Sequence, residues 1–410
     1  MEELDLRATP SGEVLRGIIA AYERIPRGER IAIALAAYSP GLRMGLIEAG
    51  AKHEAERTPG GDWRLVVHGA SRSLSTAPGL HHIVAGPDGS VWTCERARRA
   101  ARIDGAARQV AAVREVAQAA SHMALDAAAG RLYVGDARGN ALICLRASDL
   151  EPLERWDVPG SPQLPIVSEE GIACVTGGGA GVLAIVWPGR NGFRTKLVEV
   201  GAGPHDPLAM PDGSAVLVPC AGDGVIVRVS LADGAVSGRF PVGDGPAHLA
   251  LHPDGTRIYA ANSFDGTLAC LSPDGDVLGR VWSGNWAHVP KVTPDGKLVY
   301  VANFYDDTLA VFDAQTLERV AELKTDPYPH GLDISPDGTS VVATGFCGDH
   351  ARVFDGATGR ERAHIAVGEG SAHTAFLPDG SAGFVGCSIS DHIAVIDLGT
   401  GERSGVLRLA

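Results

Sequence analysis

The sequence predicts a mainly β protein: an eight-bladed β-propeller preceded by a small α/β two-layer sandwich. Three observations predict it. A set of four short strands joined by tight turns returns from His81 to the end of the chain at a spacing of about forty residues, the period of propeller blades. Glycine (53) and proline (25) are abundant while charged residues make up only 21% of the chain, which suits many short strands and turns. Residues 1–70 lack the repeat and carry helical spacing instead.

In residues 1–70, Leu4 to Arg7 reads as a strand. Gly12 to Arg24 sets Val14, Leu15, Ile18, Ile19 and Tyr22 at helical spacing, and Arg30 to Ala37 is a second strand. Leu42 to Ala49 reads as a second helix, and His53 to Arg57 with Trp63 to His68 as a hairpin around Pro59-Gly60-Gly61. The order β-α-β-α-β-β lays the helices on one sheet face. This segment, from Leu4-Asp5-Leu6-Arg7 through Gly28-Glu29 to the last strand, resembles the TusA sulfur-carrier family and a related small domain of nitrogen-oxide metabolism. The resemblance implies a cysteine at the start of the first helix, where amide donors and the helix dipole stabilise a thiolate or persulfide. Ser11 stands there instead, in Ala8-Thr9-Pro10-Ser11-Gly12, and reads as a helix N-cap. A hydroxyl carries no persulfide, so sulfur transfer by the segment is not expected; an adaptor role toward a protein partner belongs to the scaffold alternative below.

Residues 71–80 read as a linker and 81–410 as the propeller. The clearest repeats are PAHLALHPDGTRIYAANSFDGTLACLSPDGDVLGRVW from Pro246, AHVPKVTPDGKLVYVANFYDDTLAVFDAQTLERVAEL from Ala287 and PHGLDISPDGTSVVATGFCGDHARVFDGATGRERAHI from Pro329. In each, Pro-Asp-Gly is the hairpin turn between the first and second strands. Weaker copies begin near His82, His122, Leu164, His205 and His373, which makes eight units. The turn becomes Asp126-Ala127-Ala128-Ala129-Gly130 in the second and Glu169-Glu170-Gly171 in the third, and Arg96 to Ala120 leaves the outer strands of the first unit undefined. Closure is expected between the first and last blades, with Arg72 to Ser75 contributing. Val299-Tyr300-Val301-Ala302-Asn303 and Ile258-Tyr259-Ala260-Ala261-Asn262 resemble the second-strand motif of the YVTN propellers, which implies fold and not function.

One column of the repeats carries chemistry. His82, His122, His205, His248, His288, His330 and His373 stand where the innermost strand begins, and His81 adds an eighth imidazole. Only the third unit lacks the histidine, having Leu164-Pro165. Inner strands of a propeller surround a channel and start on one face, so these rings are expected to converge on one mouth. Neutral imidazole suits copper, iron or zinc, and three or four converging rings suffice for a metal. Asp206, Trp286, Lys291 and Tyr305 are candidates for orienting a cofactor or substrate. Asn262, Phe264, Asn303, Asp306, Cys220, Cys347, Asp349, Cys387 and Asp391 occupy the neighbouring loops, where the Asn and Asp members also serve as turn formers. The other six histidines, His252 and His53 among them, are expected to be surface residues.

The arrangement resembles two propeller families. Nitrous oxide reductase has a histidine-bound copper-sulfide cluster at its channel mouth and a His-His pair like His81-His82, but seven blades and a second copper domain. The haem d1 propellers of nitrite reduction and haem d1 assembly have eight blades and histidine ligands over the central cavity, and this sequence has no CxxCH for a second haem. The resemblances imply a transition metal or a haem-type tetrapyrrole at the mouth, and a redox or cofactor-handling role in nitrogen-oxide or sulfur metabolism. A non-catalytic interaction scaffold is the alternative. A calcium-dependent hydrolase is disfavoured, because calcium takes oxygen ligands and the column is imidazole.

The formal charge of -13 opposes nucleic-acid binding. An acidic start and the lack of a long apolar run fit a soluble cytoplasmic protein with no membrane contact. Seven cysteines without a CxxC pair are expected as buried, reduced strand residues.

Overall fold

The computed structural model describes residues 3–8, 14, 17, 18, 21, 30–36, 53–58, 62–68, 79–95, 98–190 and 192–409. The chain folds as two units, Met1–Pro78 and Gly79–Ala410, so the second begins within the expected linker.

The first unit is built on a four-stranded sheet of β1 (Glu3–Asp5), β2 (Arg30–Leu35), β3 (His53–Arg57) and β4 (Trp63–His68), in the order β1-β2-β4-β3. β1 pairs in parallel with β2 and the other pairs are antiparallel. A parallel pair needs a crossover. Val14, Gly17, Ile18 and Ala21, at i, i+3, i+4 and i+7, are helical and lie between these two strands in sequence. Val14 and Ile18 are buried with Ile33 and Leu35 of β2 and Leu65 and Val67 of β4, the alternate residues that share a sheet face. Ser11, the expected second helix Leu42–Ala49, the Pro59-Gly60-Gly61 turn and Arg72 to Ser75 lie outside the described residues.

The second unit consists of eight antiparallel four-stranded sheets, here called blades 1 to 8, each with strands A to D in chain order. The A strands are Leu80–Ala85, Ala120–Asp126, Pro165–Val167, Leu208–Ala209, Pro246–Leu251, Ala287–Val292, Pro329–Ile334 and Ser371–Phe376. The A strands pack against the A strand of the next blade, with strand B (Ala215–Cys220) making this contact in blade 4, and Ser371–Phe376 packs against Leu80–Ala85, so the ring closes between the first and last blades as expected. Apolar clusters fill the spaces between neighbouring blades. The closing cluster joins Leu80, Ile83 and Val91 of blade 1 to Phe384, Ile393 and Val395 of blade 8. B and C strands are buried while D strands alternate or face solvent, as in Arg319–Lys324. The outer strands of blade 1, undefined in the sequence, are Arg99–Asp104 and Gln109–Glu115.

The turns follow the sequence motif. In blade 6 the Asp295 carboxylate accepts the Lys297 amide at 3.1 Å, and Gly296 takes φ +72°, a conformation that glycine adopts without steric cost. Buried polar tips tie blade to blade. Trp92 Nε1 donates to the Ala147 carbonyl at 2.8 Å, Tyr259 Oη to Ala314 at 2.7 Å and Tyr300 Oη to Gly356 at 3.0 Å, each acceptor directly following a C strand of the next blade. Among the described residues no helix is long and apolar enough to cross a membrane.

Candidate metal centre at the channel mouth

Backbone register decides where the histidines point. In blades 1, 2 and 5 to 8 the A–B pairing shifts at the start of the A strand, within the segments carrying the histidines. The first paired residues are Leu80, Ala120, Pro246, Ala287, Pro329 and Ser371, and the bridge of Pro204 with Cys220 supplies the same point in blade 4. Counting from these, His81, His205, His288 and His330 stand one residue on, and His82, His122, His248 and His373 two residues on. The single column expected from the sequence is therefore two adjacent positions. In a regular strand they would face opposite ways, but a bulge re-aims side chains and lets both sets meet.

The structure brings all eight rings together. Their centroids run His205–His248 (4.9 Å), His248–His288 (4.3 Å), His288–His330 (5.0 Å) and His330–His373 (4.9 Å). The run continues from His373 to His81 and His82 (each 4.9 Å), which lie 5.0 and 4.7 Å from His122. Blade 3, with Leu164-Pro165, separates the two ends. Two subsets bring ligand atoms within 4.8 Å of one another: His81, His122 and His373, and His205, Asp206 and His248.

Asp206 orders the second subset. Its Oδ2 lies 2.8 Å from His248 Nδ1 and its Oδ1 3.3 Å from His205 Nδ1. Burial opposes its ionisation, but the His248 and His205 imidazoles outweigh that and hold the carboxyl well below the usual carboxylate range. A carboxylate only accepts, so His248 Nδ1 carries the proton and its Nε2 is a bare lone pair. His248 Nε2 lies 3.3 Å from His288 Nε2, which must then donate. This leaves His288 Nδ1 as a lone pair, buried and without a hydrogen-bond partner.

The pocket favours neutral rings. Burial pushes His82 down to about 4, with Asp206 opposing and Lys291 assisting, and its Nδ1 accepts the Met123 amide at 3.2 Å. Burial also lowers His248 against the pull of Asp206, and burial with the neighbouring His248, His330 and His205 rings holds His288 well below the ordinary imidazole value. Neutral imidazole is the form that ligates metals, and a buried lone pair without a partner is what a metal satisfies. The donor set therefore fits a borderline transition metal.

The other candidates divide. Lys291 pairs with Asp333 of blade 7 at 3.2 Å and bears on the rings through its charge. Trp286 is buried beside Phe264 (5.4 Å) and Tyr305 (5.6 Å), in an aromatic group that continues through Phe304 to Tyr328. Phe304 and Phe346, which the sequence reading passed over, carry this group to the rings: Phe304 is 5.9 Å from His288, and Phe346 is 4.1 Å from His330 and stacked at 6.2 Å on His81. Their shared place directly after strand B was the available signal. Asn262 and Asn303 are fully buried and bond the Val242 and Ser283 carbonyls, a structural role, and Asp306 Oδ2 accepts the Asn285 amide. Burial raises the Cys220 and Cys387 thiols to about 12, while Cys347 is exposed, against expectation.

Of the histidines expected at the surface, His364 is exposed, His252 and His350 are half-buried, and His392 needs correction. His392 is buried, with Nε2 donating to the Val367 carbonyl at 2.7 Å. His252 Nε2 donates to Gly296 of blade 6 at 2.9 Å, and the His350 and His364 rings lie 4.2 Å apart at a tilt of 36° beside the buried Asp326. His392 opens its strand and bonds the connection entering its own blade, whereas His252 follows its strand and bonds the next blade.

Set against known proteins, this architecture is that of a β-propeller. The family described as "Lactonase, 7-bladed beta-propeller" matches residues 198–360, less than half of the chain, whereas the ring here has eight sheets. No curated protein matches the sequence. Among solved structures, the Dos1 propeller superposes with a TM-score of 0.67 at 12% identity, covering 82% of this chain and 95% of that one. The dihydro-heme d1 dehydrogenase NirN in complex with DHE gives 0.60 at 18% identity, covering 70% and 66%, so the match spans just under two thirds of that chain. Kuenenia stuttgartiensis hydrazine synthase gives 0.56 at 15%, covering 78% and 96%. At these identities the likeness is one of fold.

Proposed function

We propose that this protein is a metal- or metallocofactor-binding propeller whose histidine-lined mouth holds a transition metal, with a redox or cofactor-handling role in nitrogen-oxide or sulfur metabolism of the cytoplasm. One observation carries the reading: eight imidazoles from seven blades meet in a continuous run, with the buried His288 Nδ1 left as a bare lone pair. Copper, iron or zinc held directly by His81, His122 and His373 suits the compact spacing of these rings. The metal would supply Lewis-acid or redox chemistry. Asp206 would fix the tautomers of His248 and His288 beside it, and the Phe304 and Phe346 faces would bound the small molecule admitted to the mouth.

A haem-type tetrapyrrole is the second reading, favoured by the aromatic wall beside the rings and by the fold likeness to a dihydro-heme d1 dehydrogenase. A single histidine would then serve as axial ligand. The first unit would act as a TusA-like adaptor for a protein partner.

The test is metal analysis and an absorption spectrum of protein purified from its native host, compared with the H81A/H122A/H373A variant. Metal lost in the variant without a porphyrin-type band supports direct ligation, and such a band supports the tetrapyrrole. Wild-type protein containing neither, and taking up neither on reconstitution, would sink the proposal and leave an interaction scaffold.

A further inference from the structure

We propose a second cation site on blade 7, built from Asp326, His350 and His364 and separate from the mouth. Asp326 lies in the connection into blade 7, His350 opens its C strand (His350–Asp355) and His364 stands in its D strand (Glu361–Ala366). The Asp326 side chain is 9% exposed, its Oδ1 lies 3.1 Å from His364 Nε2, and its Oδ2 lies 4.0 Å from His350 Nδ1. Ligand atoms of the three residues fall within 4.8 Å of one another. Asp349 Oδ1, 2.5 Å from His350 Nδ1, is available as a fourth donor.

The repeat provides its own control. Blades 5 and 6 end strand B with Asn262 and Asn303, which bond Thr267 and Thr308 at the start of strand C. In blade 7 those positions are Gly345 and His350, so the amide–hydroxyl staple is gone. The incoming connections of blades 5 and 6 carry Gly243 and Gly284, close against Asp265 and Asp306 of the B–C loops. In blade 7 the pair is exchanged: the carboxylate is Asp326 on the connection, and Gly348 faces it, where an added Cβ would come within 2.7 Å of Asp326 Oδ2. The D-strand residue beside this point is Arg280 in blade 5, which pairs with Asp265 at 3.7 Å, and His364 in blade 7.

These changes replace a staple and an ordinary ion pair with two imidazoles and a buried carboxylate. Arg352 also reaches Asp326 Oδ1 at 3.1 Å, but its Nη1 is held by both oxygens of Glu361 at 3.2 and 3.1 Å, so its charge is met without Asp326. Two imidazoles with one or two carboxylates select zinc, cobalt or nickel over calcium or magnesium, which require all-oxygen sites. A cation here would clamp the connection that leads, four residues on, into His330 of the mouth.

The test is Co2+ titration of metal-stripped, full-length protein, read by ligand-field absorption and by bound-metal stoichiometry. H350A/H364A should bind one equivalent fewer than wild type. H350T/H364R, which installs the blade 5 residue types and so suits the fold, should lose the same equivalent. H81A/H122A/H373A should keep the blade 7 equivalent while losing metal at the mouth, so failures of the two sites are distinguishable. If both blade 7 variants bind as much Co2+ as wild type, or if the mouth variant binds none, the site does not exist.

Discussion

Asp206 Oδ2 and His248 Nδ1 stand 2.8 Å apart, and this one contact sets the protonation pattern of two further ring nitrogens. Because the carboxylate must accept, His248 Nε2 is bare and His288 Nε2 donates to it across 3.3 Å. Replacing Asp206 by Asn removes the charge and lets the amide either donate or accept, so the order is lost. If His248 or His288 joins His81, His122 and His373 in holding the metal, D206N should retain it about 10–100-fold less tightly, the usual effect of losing a carboxylate behind a ligating histidine. Competition with a chelator measures this. Unchanged retention would mean that His248 and His288 hold no metal.

Acid should destabilise the second unit before its carboxylates titrate. His82 is fully ionisable when unfolded, near 6.5, but titrates at about 4 when folded because of burial. The unfolded chain therefore binds more protons between these values, and stability falls as pH drops from 6.5 to 4. The shift corresponds to at most about 3 kcal/mol. Denaturant midpoints for metal-free protein should be level above about pH 7 and decline below 6.5. H82Q should flatten that decline, and a wild-type midpoint unchanged down to pH 4.5 would contradict the burial of His82.

Stability and metal retention should separate at the opposite ends of the B strands. Tyr259 and Tyr300 donate to the Ala314 and Gly356 carbonyls of the following blades. Y259F or Y300F leaves a buried carbonyl unsatisfied and should cost about 1–2 kcal/mol each, measured by urea unfolding. Metal content at the mouth should not change, since the rings depend on the A-strand starts. A Y300F protein that lost metal without losing stability would overturn this division.

Much of this was legible because the repeat spells out its own turns. Pro-Asp-Gly in PDGKLVYVAN and PDGTRIYAAN names the A–B hairpin, and the short apolar run after it marks the buried B strand. The convergence of the histidines followed from ring topology alone. Their division into two registers did not, because it depends on bulges that insert one residue, as between Leu80 and His82, without changing residue type. Blade 7 was hidden for a different reason. Asp326, His350 and His364 are far apart in sequence, and the exchange of Asp265 for Gly348 and Gly243 for Asp326 is visible only once each residue has a position in the sheet.

Close approach of neighbouring inner strands gives the last prediction, at Gly331. An added Cβ there would fall 1.7 Å from the Ala372 carbonyl oxygen and 2.2 Å from Thr344 Oγ1, which itself donates to that carbonyl at 2.6 Å. Backbone on one side and a bonded hydroxyl on the other leave nothing flexible to yield, so blades 7 and 8 must move apart. G331A should cost about 1–3 kcal/mol, the range for overpacking. It should also weaken metal retention, because Gly331 adjoins His330, whose ring sits 4.9 Å from His373 across the same seam. Gly399 is the control: its added Cβ would meet Asp397 Oδ1 at an ordinary 3.4 Å, and G399A should change neither property. If G331A and G399A behave alike in thermal unfolding and metal retention, the inner strands of blades 7 and 8 are not packed as closely as this geometry requires.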